Sequence, residues 1–387
     1  MLGVIFLSVV VDLIGFGIVL PLLPFYAISF GATPATVALL AAVFSIAQFL
    51  TAPLLGALTD RVGRRPVFLA CLVVSCCAYI GLAFADSLVA IFLARIFAGI
   101  GAGKIGIAQA IIADSTTPET RAKGMGMVGA AFGIGMILGP VLGGLLTGPD
   151  PLNPNYHLPA FAAAAASLAA FGFALWRLPE TRQPGSGTLP PASRNPLKHL
   201  DKINRIALGL ILVQFSINFV FAQIEVLFPL FARARFDWHA FEVGIAFACI
   251  GCIVLAMQGG LIGPLSRRFG ENNLLRIGIL GLSFGTLLVV WVVNVPMLAL
   301  SVLFTASSFA MINPSLASLI SRAADPEHQG LTMGAAQSFA ALGRVLGPLL
   351  GGYLFETVSL EAPYIAGGVL LLLTLVVFYR SIKGNAG

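Results

Sequence analysis

Apolar residues run along this chain in long blocks rather than in alternation. The blocks fall at about 2–24, 34–58, 66–85, 87–112, 124–147, 158–178, 203–231, 240–265, 272–293, 295–319, 329–354 and 361–380. At about 1.5 Å of rise per residue, each can cross a hydrocarbon layer about 30 Å thick as an α-helix. Barrel strands need only about 9–11 residues, so helices are the expected spanning elements. The narrowest break lies around Asn294 and Pro296. The expected fold is an all-α membrane protein of twelve transmembrane helices.

Composition excludes the soluble alternative. Of 387 residues, 10% are charged and 58% hydrophobic, and the mean hydropathy is +0.97. A soluble domain carries roughly 25% charged residues to cover its surface. The first block, from Leu2 to Leu23, exceeds the about 7–15 residues of a signal-peptide core and has no A-x-A-like site after it, so a helix is expected there.

The net charge of +6 would suit a nucleic-acid partner if the basic residues clustered on one face. They do not. With both termini in the cytoplasm, seventeen of the 22 Lys and Arg fall in cytoplasmic segments, from Arg61, Arg64 and Arg65 through Arg177, Arg267 and Arg268 to Lys383. Only Arg233 and Arg235 lie outside, and Arg95, Lys104 and Arg344 lie within spans. The positive-inside rule fixes that orientation and removes the need for nucleic acid. The implied setting is a multi-pass cell membrane, with a bacterial inner membrane expected.

The segment 179–202 is rich in Pro, Gly and Ser and reads as a flexible cytoplasmic linker between residues 1–178 and 203–387. The two flanking halves repeat each other. Gly135-Met-Ile-Leu-Gly139-Pro140-Val-Leu-Gly143-Gly144 recurs as Gly343-Arg-Val-Leu-Gly347-Pro348-Leu-Leu-Gly351-Gly352. Pro118 and Glu119 match Pro326 and Glu327, and Gly56, Arg61 and Gly63 match Gly263, Arg268 and Gly270. Two parallel six-helix, pseudo-symmetric halves around a central path form a transporter architecture.

Four motifs then carry a family resemblance across essentially the whole chain. Gly56-Ala-Leu-Thr-Asp60-Arg61-Val-Gly63-Arg64-Arg65 resembles the 2–3 loop signature of the major facilitator superfamily. The Gly135–Gly144 row resembles the fifth-helix signature of its drug/proton antiporters, and Leu93-Ala-Arg95-x-x-x-Gly99-x-Gly101 its fourth-helix signature. Asp12-x-x-Gly15-x-Gly17-x-x-x-Pro21-x-x-Pro24 is similar to the first-helix pattern of the twelve-span exporters, which include tetracycline/proton antiporters. The resemblance implies a major facilitator fold and a monomeric carrier for a small-molecule substrate and protons, without a cofactor. It also implies a conformational latch at Asp60 and its basic neighbours, and a rocking hinge at the glycine row with Pro140. One departure stands out. Tetracycline exporters carry acids inside their third and ninth helices, and spans 66–85 and 272–293 here have none. The repeat is also asymmetric in charge, because Arg267 stands where Asp60 would recur.

Charges inside spans cost about 2.5–3.5 kcal/mol each on insertion scales and are functional candidates by default. They are Asp12 in span 1, Glu225 in span 7, Arg95 and Lys104 in span 4 and Arg344 in span 11. Spans 1 and 7 are equivalent, and an acid in each suits a proton-coupled carrier. Asp12 is expected to pair with Arg95 or Lys104, and Glu225 with Arg344; static structural pairs are the alternative. Gln48, Gln109, Gln214, Asn218, Gln223, Asn313 and Gln337 are expected to line the same cavity.

Other chemistries fail on their residues. Gly99-Ile-Gly101-Ala-Gly103-Lys104 lacks the Gly at 98 and the Ser or Thr at 105 of a phosphate loop, and helix packing is the better reading. Cys249 and Cys252 have CxxC spacing but no second pair and no nearby His, so no metal is implied. No Ser/His/Asp cluster lies at one membrane face, so an enzyme is not expected. The leading expectation is proton-coupled efflux of small amphipathic compounds. An uptake symporter for a sugar or other metabolite is the alternative, and a non-transporting receptor comes third.

Overall fold

In a computed structural model of the chain, residues 2–116, 118–148, 150, 154–181, 203–325 and 329–383 are described. The expected linker therefore lies outside the described residues from 182 onward, as do Pro326 and Glu327. The helices in chain order are α1 (Leu2–Val19), α2 (Leu23–Ser29), α3 (Pro34–Val62), α4 (Arg64–Ala83), α5 (Leu88–Gly101), α6 (Lys104–Asp114), α7 (Pro118–Thr147) and α8 (His157–Arg177). There follow α9 (Arg205–Phe236), α10 (Ala240–Ala256), α11 (Ile262–Phe269), α12 (Glu271–Leu288), α13 (Val295–Ala323), α14 (Gln329–Thr357) and α15 (Ala362–Lys383). Among the described residues, twelve stretches are long and apolar enough to cross a membrane, one for each block expected from the sequence.

Local chemistry explains the boundaries. Thr33 and Ser87 cap α3 and α5 by accepting from Thr36 N and Ala90 N. The narrow break before α13 is real because Asn294 accepts from Met297 N at 3.0 Å and Pro296 follows in the first turn. Gly63 ends α3 and opens α4 at φ +100°, and Gly270 does the same between α11 and α12 at φ +73°. That left-handed region is open to glycine at little cost.

Three spans are not single helices, and span 9 closes α12 with a 3-10 turn, Val289–Trp291. Span 8 carries a π-helical turn, Met257–Leu261, between α10 and α11. Span 4 is interrupted at Ala102 and Gly103, where backbone bonds reach back three residues instead of four, as in Gly103 N to Ile100 O at 3.3 Å. The outward surface of the helices is apolar, with Leu54, Phe84, Trp176 and Val293 all exposed. That suits lipid rather than water.

By packing, the chain forms two compact units: residues 1–188 with 232–252, and 189–231 with 253–387. In the first, α1 packs on α7 and α8, and α4 packs on α5 and α8, over a core that includes Ile5, Leu13, Phe68, Leu72 and Ile111. In the second, α12 packs on α13 and α15 over Ile217, Leu275, Ile279, Ile312 and Leu316.

The repeated glycine row makes the same kind of contact twice. In the first unit a Cβ on Gly139 would lie 2.5 Å from the Gly17 Cα, and one on Gly143 would lie 2.5 Å from the Ile18 carbonyl oxygen. Gly135 faces Leu13 in the same seam. The other side of α7 meets α10, where Gly144 lies against Phe241 and the Pro140 carbonyl against Gly244. In the second unit Gly343 and Gly347 meet Phe219, and Gly351 meets Gln223. Small residues let these backbones approach where any side chain would part them.

Candidate functional site

Four spans of the first unit converge on one buried ion pair. Lys104 Nζ lies 2.9 Å from Asp12 Oδ2, and the two residues are only 6% and 3% exposed. Ser167 on α8 donates to Asp12 Oδ1 at 3.0 Å, and Lys104 donates to Ser75 Oγ on α4 at 2.6 Å. The break in span 4 makes Lys104 the first residue of α6. A lysine adds to the positive end of the helix dipole there, so an anion beside it offsets both. Asp12 is that anion. Gly101 leaves room for the Ser75 side chain, which any Cβ at 101 would strike.

The sequence left Asp12 a choice of Arg95 or Lys104, and the structure brings Lys104 to it. Arg95 lies on α5, nine positions earlier, with its guanidinium 4.3 Å from the centre of the Phe44 ring. Fully buried Tyr79 lies within electrostatic reach of both Asp12 and Arg95, and Cys71 within reach of Asp12 and Lys104. In the second unit Arg344 Nη1 approaches Asn218 Oδ1 at 3.5 Å, and Glu225 on α9 acts on it electrostatically. Asn218 itself donates to the Gln214 carbonyl at 2.9 Å.

The polar candidates scatter. Gln223 is buried and donates to the Pro363 carbonyl, while its Oε1 has no partner among the described residues. Gln48 and Asn313 are half-buried; Gln109 and Gln337 are exposed. The two exposed glutamines make no hydrogen bond among those found for the described residues.

The 2–3 loop is tied within its own unit. Glu180, just after α8, accepts from the backbone amides of Arg64 at 2.9 Å and Arg65 at 3.1 Å, capping α4 from outside the helix. Arg65 donates to the Leu175 carbonyl. Arg64 reaches Asp114 at 3.2 Å, Thr59 Oγ1 at 2.8 Å and Asp60 at 3.9 Å. Arg61 is exposed, and a Gly56 Cβ would meet open space. The second unit inverts the charges. Glu271, next after Gly270, accepts from Arg322 at 3.2 Å and Ser318 at 2.8 Å. The charge asymmetry noted at Arg267 thus has a counterpart one helix turn on.

Sequence reasoning missed Ser75, Ser167 and Asp114, and placed Glu180 in the linker. Short hydroxyls in an apolar span are common enough to carry no signal alone. Asp114 could have been found as the acid that closes span 4.

Comparison with known proteins agrees with this architecture. A family model described as "Major Facilitator Superfamily" matches residues 5–335 and 259–385. The chain is 31% identical over 348 residues to the class C tetracycline resistance protein of Escherichia coli, covering 89% of this chain and 86% of that protein. The crystal structure of the human organic anion transporter MFSD10 (TETRAN) superposes with a TM-score of 0.76 at 28% identity, over 97% of this chain and 98% of that one. The nucleoside transporter NupG shares the fold, with a TM-score of 0.79 at 17% identity over 99% of both chains.

Proposed function

Because the chain belongs to the major facilitator superfamily, a family of transporters, we propose that it is a proton-coupled exporter of small amphipathic compounds working by alternating access. The observation that carries the reading is the Asp12–Lys104 pair, because a carrier that couples to protons needs an ionisable pair that can open inside the membrane. Once the pair is open, a proton gained or lost by one member changes the charge of the site, and that change is what links a proton to a substrate. The likeness to tetracycline resistance proteins supports the outward direction.

In this reading the halves 1–178 and 203–387 rock about the glycine-lined α7 and α14, with both termini in the cytoplasm of a bacterial inner membrane. Asp60, Arg61, Arg64 and Arg65, set by Gly56 and Gly63, act as the inner latch. Gly135, Gly139, Pro140, Gly143 and Gly144 form the hinge. The carrier works as a monomer.

Reconstituted proteoliposomes with an imposed pH gradient test the proposal. Substrate moving against the proton flow supports export, and substrate moving with it supports an uptake symporter instead. Asp12→Asn is expected to abolish pH-driven export while the folded protein stays in the membrane. Full export by that variant removes Asp12 from the coupling role.

A further inference from the structure

We propose that Ser8, with one water held between it and Asp12, is the inner exit through which a proton leaves the buried pair for the cytoplasm. The premise is the proton-coupled reading above, with both termini inside. The exit serves either direction of substrate movement, because protons run inward in both.

Ser8, in α1, is 1% exposed, and its Oγ makes no hydrogen bond among the described residues. Other buried hydroxyls in these helices return to the carbonyl four residues earlier: Thr147 to Gly143 at 2.8 Å, Thr286 to Leu282 at 2.7 Å and Ser315 to Met311 at 2.9 Å. Ser75 and Ser167 bond to the ion pair. Ser8 does neither. Among Ser and Thr within the described helices, it is the one whose buried oxygen has no partner. A buried hydroxyl in that position is destabilising, and an ordered water is its ordinary partner.

Ser8 precedes Asp12 by four residues, so the two lie one turn apart on one face of α1, with about 5–6 Å between Cβ atoms. One water making two hydrogen bonds of about 2.8 Å spans such a gap. Asp12 Oδ1 accepts from Ser167 and Oδ2 from Lys104, and each carboxylate oxygen has a second acceptor site left for it. From Leu2 the helix rises about 9 Å to Ser8 and about 15 Å to Asp12, so Ser8 stands on the cytoplasmic side of the pair. The Cys71 thiol, one turn inside Ser75 on α4, is within electrostatic reach of Asp12 and Lys104. The outer side holds the Tyr79 phenol on α4 and the Arg95 guanidinium on α5, which lies over Phe44. Arg95 stays charged and repels a proton in transit, so the Ser8 side is the easier way out.

The transfer balances atom by atom. The O–H bond of protonated Asp12 breaks, its electron pair stays on the carboxylate, and the proton joins the water. One of the water's own hydrogens passes to Ser8 Oγ while the Ser8 O–H bond breaks on the far side, and that hydrogen goes on to water at the cytoplasmic end. Each relay oxygen ends with as many hydrogens as it began with, and Asp12 is left as the carboxylate partner of Lys104. Rotation of the hydroxyl and the water then restores their starting orientation.

Two comparisons decide it, both between Ser8→Thr and Ser8→Val, which have the same bulk and differ in the hydroxyl. In one detergent, Ser8→Val should melt about 1–2 °C below Ser8→Thr, because it loses the bond to the water. A hydroxyl that holds no water gives the reverse order, so Ser8→Val melting at or above Ser8→Thr overturns the proposal. If either variant does not fold, Ser8→Ala against wild type gives the same readout.

In proteoliposomes the probe is ethidium, followed in two modes. Movement driven by a pH gradient requires proton release at every turnover. Exchange of labelled for unlabelled ethidium at equal concentrations requires none. Ser8→Val should slow the driven movement about tenfold relative to Ser8→Thr, the rate equivalent of one lost hydrogen bond, and leave the exchange unchanged. Equal driven rates in the two variants, or a loss shared by the exchange, overturn the proposal. Wild type carrying ethidium with the proton flow overturns the export reading alone, since the inner exit serves both directions.

Discussion

Arg322 Nη2 meets Glu271 Oε1 at 3.2 Å, with the charges reversed from Arg64 and Asp114, whose contact at 3.2 Å ties the equivalent helix ends in the first unit. The two ties differ in depth. The Arg64 side chain is 14% exposed and that of Arg322 is 73% exposed. A shielded, hydrogen-bonded charge contributes more than a solvated one. Arg64→Gln is therefore expected to cost about 1.5–3 kcal/mol of stability, and Arg322→Gln at most about 0.5 kcal/mol. Thermal melting of both variants in one detergent checks the order; equal losses would contradict it.

Gly63 and Gly270 share a positive φ but not a neighbourhood. A Cβ on Gly63 would run into the Glu180 carboxylate, whereas one on Gly270 would meet nothing within 4 Å. Gly270→Ala should cost only the backbone term, about 1–3 kcal/mol, because positive φ with ψ of 155° is a region essentially confined to glycine. Gly63→Ala should cost more, because it also displaces the cap on Arg64 and Arg65. Glu180→Ala, which removes that cap while leaving Gly63 alone, should lose about 1–2 kcal/mol in the same melt.

The buried pair predicts non-additive losses. Lys104→Gln leaves the Asp12 carboxylate buried without a cation and should cost about 3–5 kcal/mol. Adding Asp12→Asn should restore much of it, since two neutral amides need no counter-charge. A double variant no more stable than Lys104→Gln would show that the pair is not the unit of stability.

Tyr26, on α2 beyond the end of span 1, donates to the Ala85 carbonyl at 2.7 Å and stacks on Tyr156 with ring centres 5.1 Å apart. Burial, and after it the charge of Asp86, pushes its phenol above the usual value of about 10. The folded protein thus keeps a proton that the unfolded chain gives up first. The stabilisation is complete below pH about 10 and is lost as the pH rises beyond it. Melting temperature should fall in that alkaline range, and less steeply in Tyr26→Phe. That variant forfeits about 0.5–1.5 kcal/mol at neutral pH with its hydrogen bond.

The sequence announced the spans because lipid demands unbroken apolar blocks, and it announced the seam glycines because they recur in both halves. It also placed Asp12 and Glu225 in equivalent spans. It could not choose between Arg95 and Lys104, because that depends on the break at Ala102 and Gly103. The break resets the rotational phase of span 4 and aims Lys104 at Asp12. Ser75 and Ser167 were invisible for a related reason: an apolar span tolerates a hydroxyl anywhere, and only packing shows which one meets a charge. The reversed polarity at Glu271 and Arg322 escaped notice because motif matching compares residues position by position. What is kept between the repeats is an attraction between two helix ends.

Along α7, backbone touches backbone on two sides, at Gly17 and Gly139 and again at Pro140 and Gly244. Interlocked side chains must change rotamer before one helix can pass another. At Gly17, Gly139, Gly143 and Gly244 this seam has none to change; Leu13 at Gly135 and Ile137 at Gly251 are the side chains that would. Sliding of α7 is therefore expected to cost less than pulling it away. The same glycines that draw the helices together therefore leave motion along their length as the soft direction.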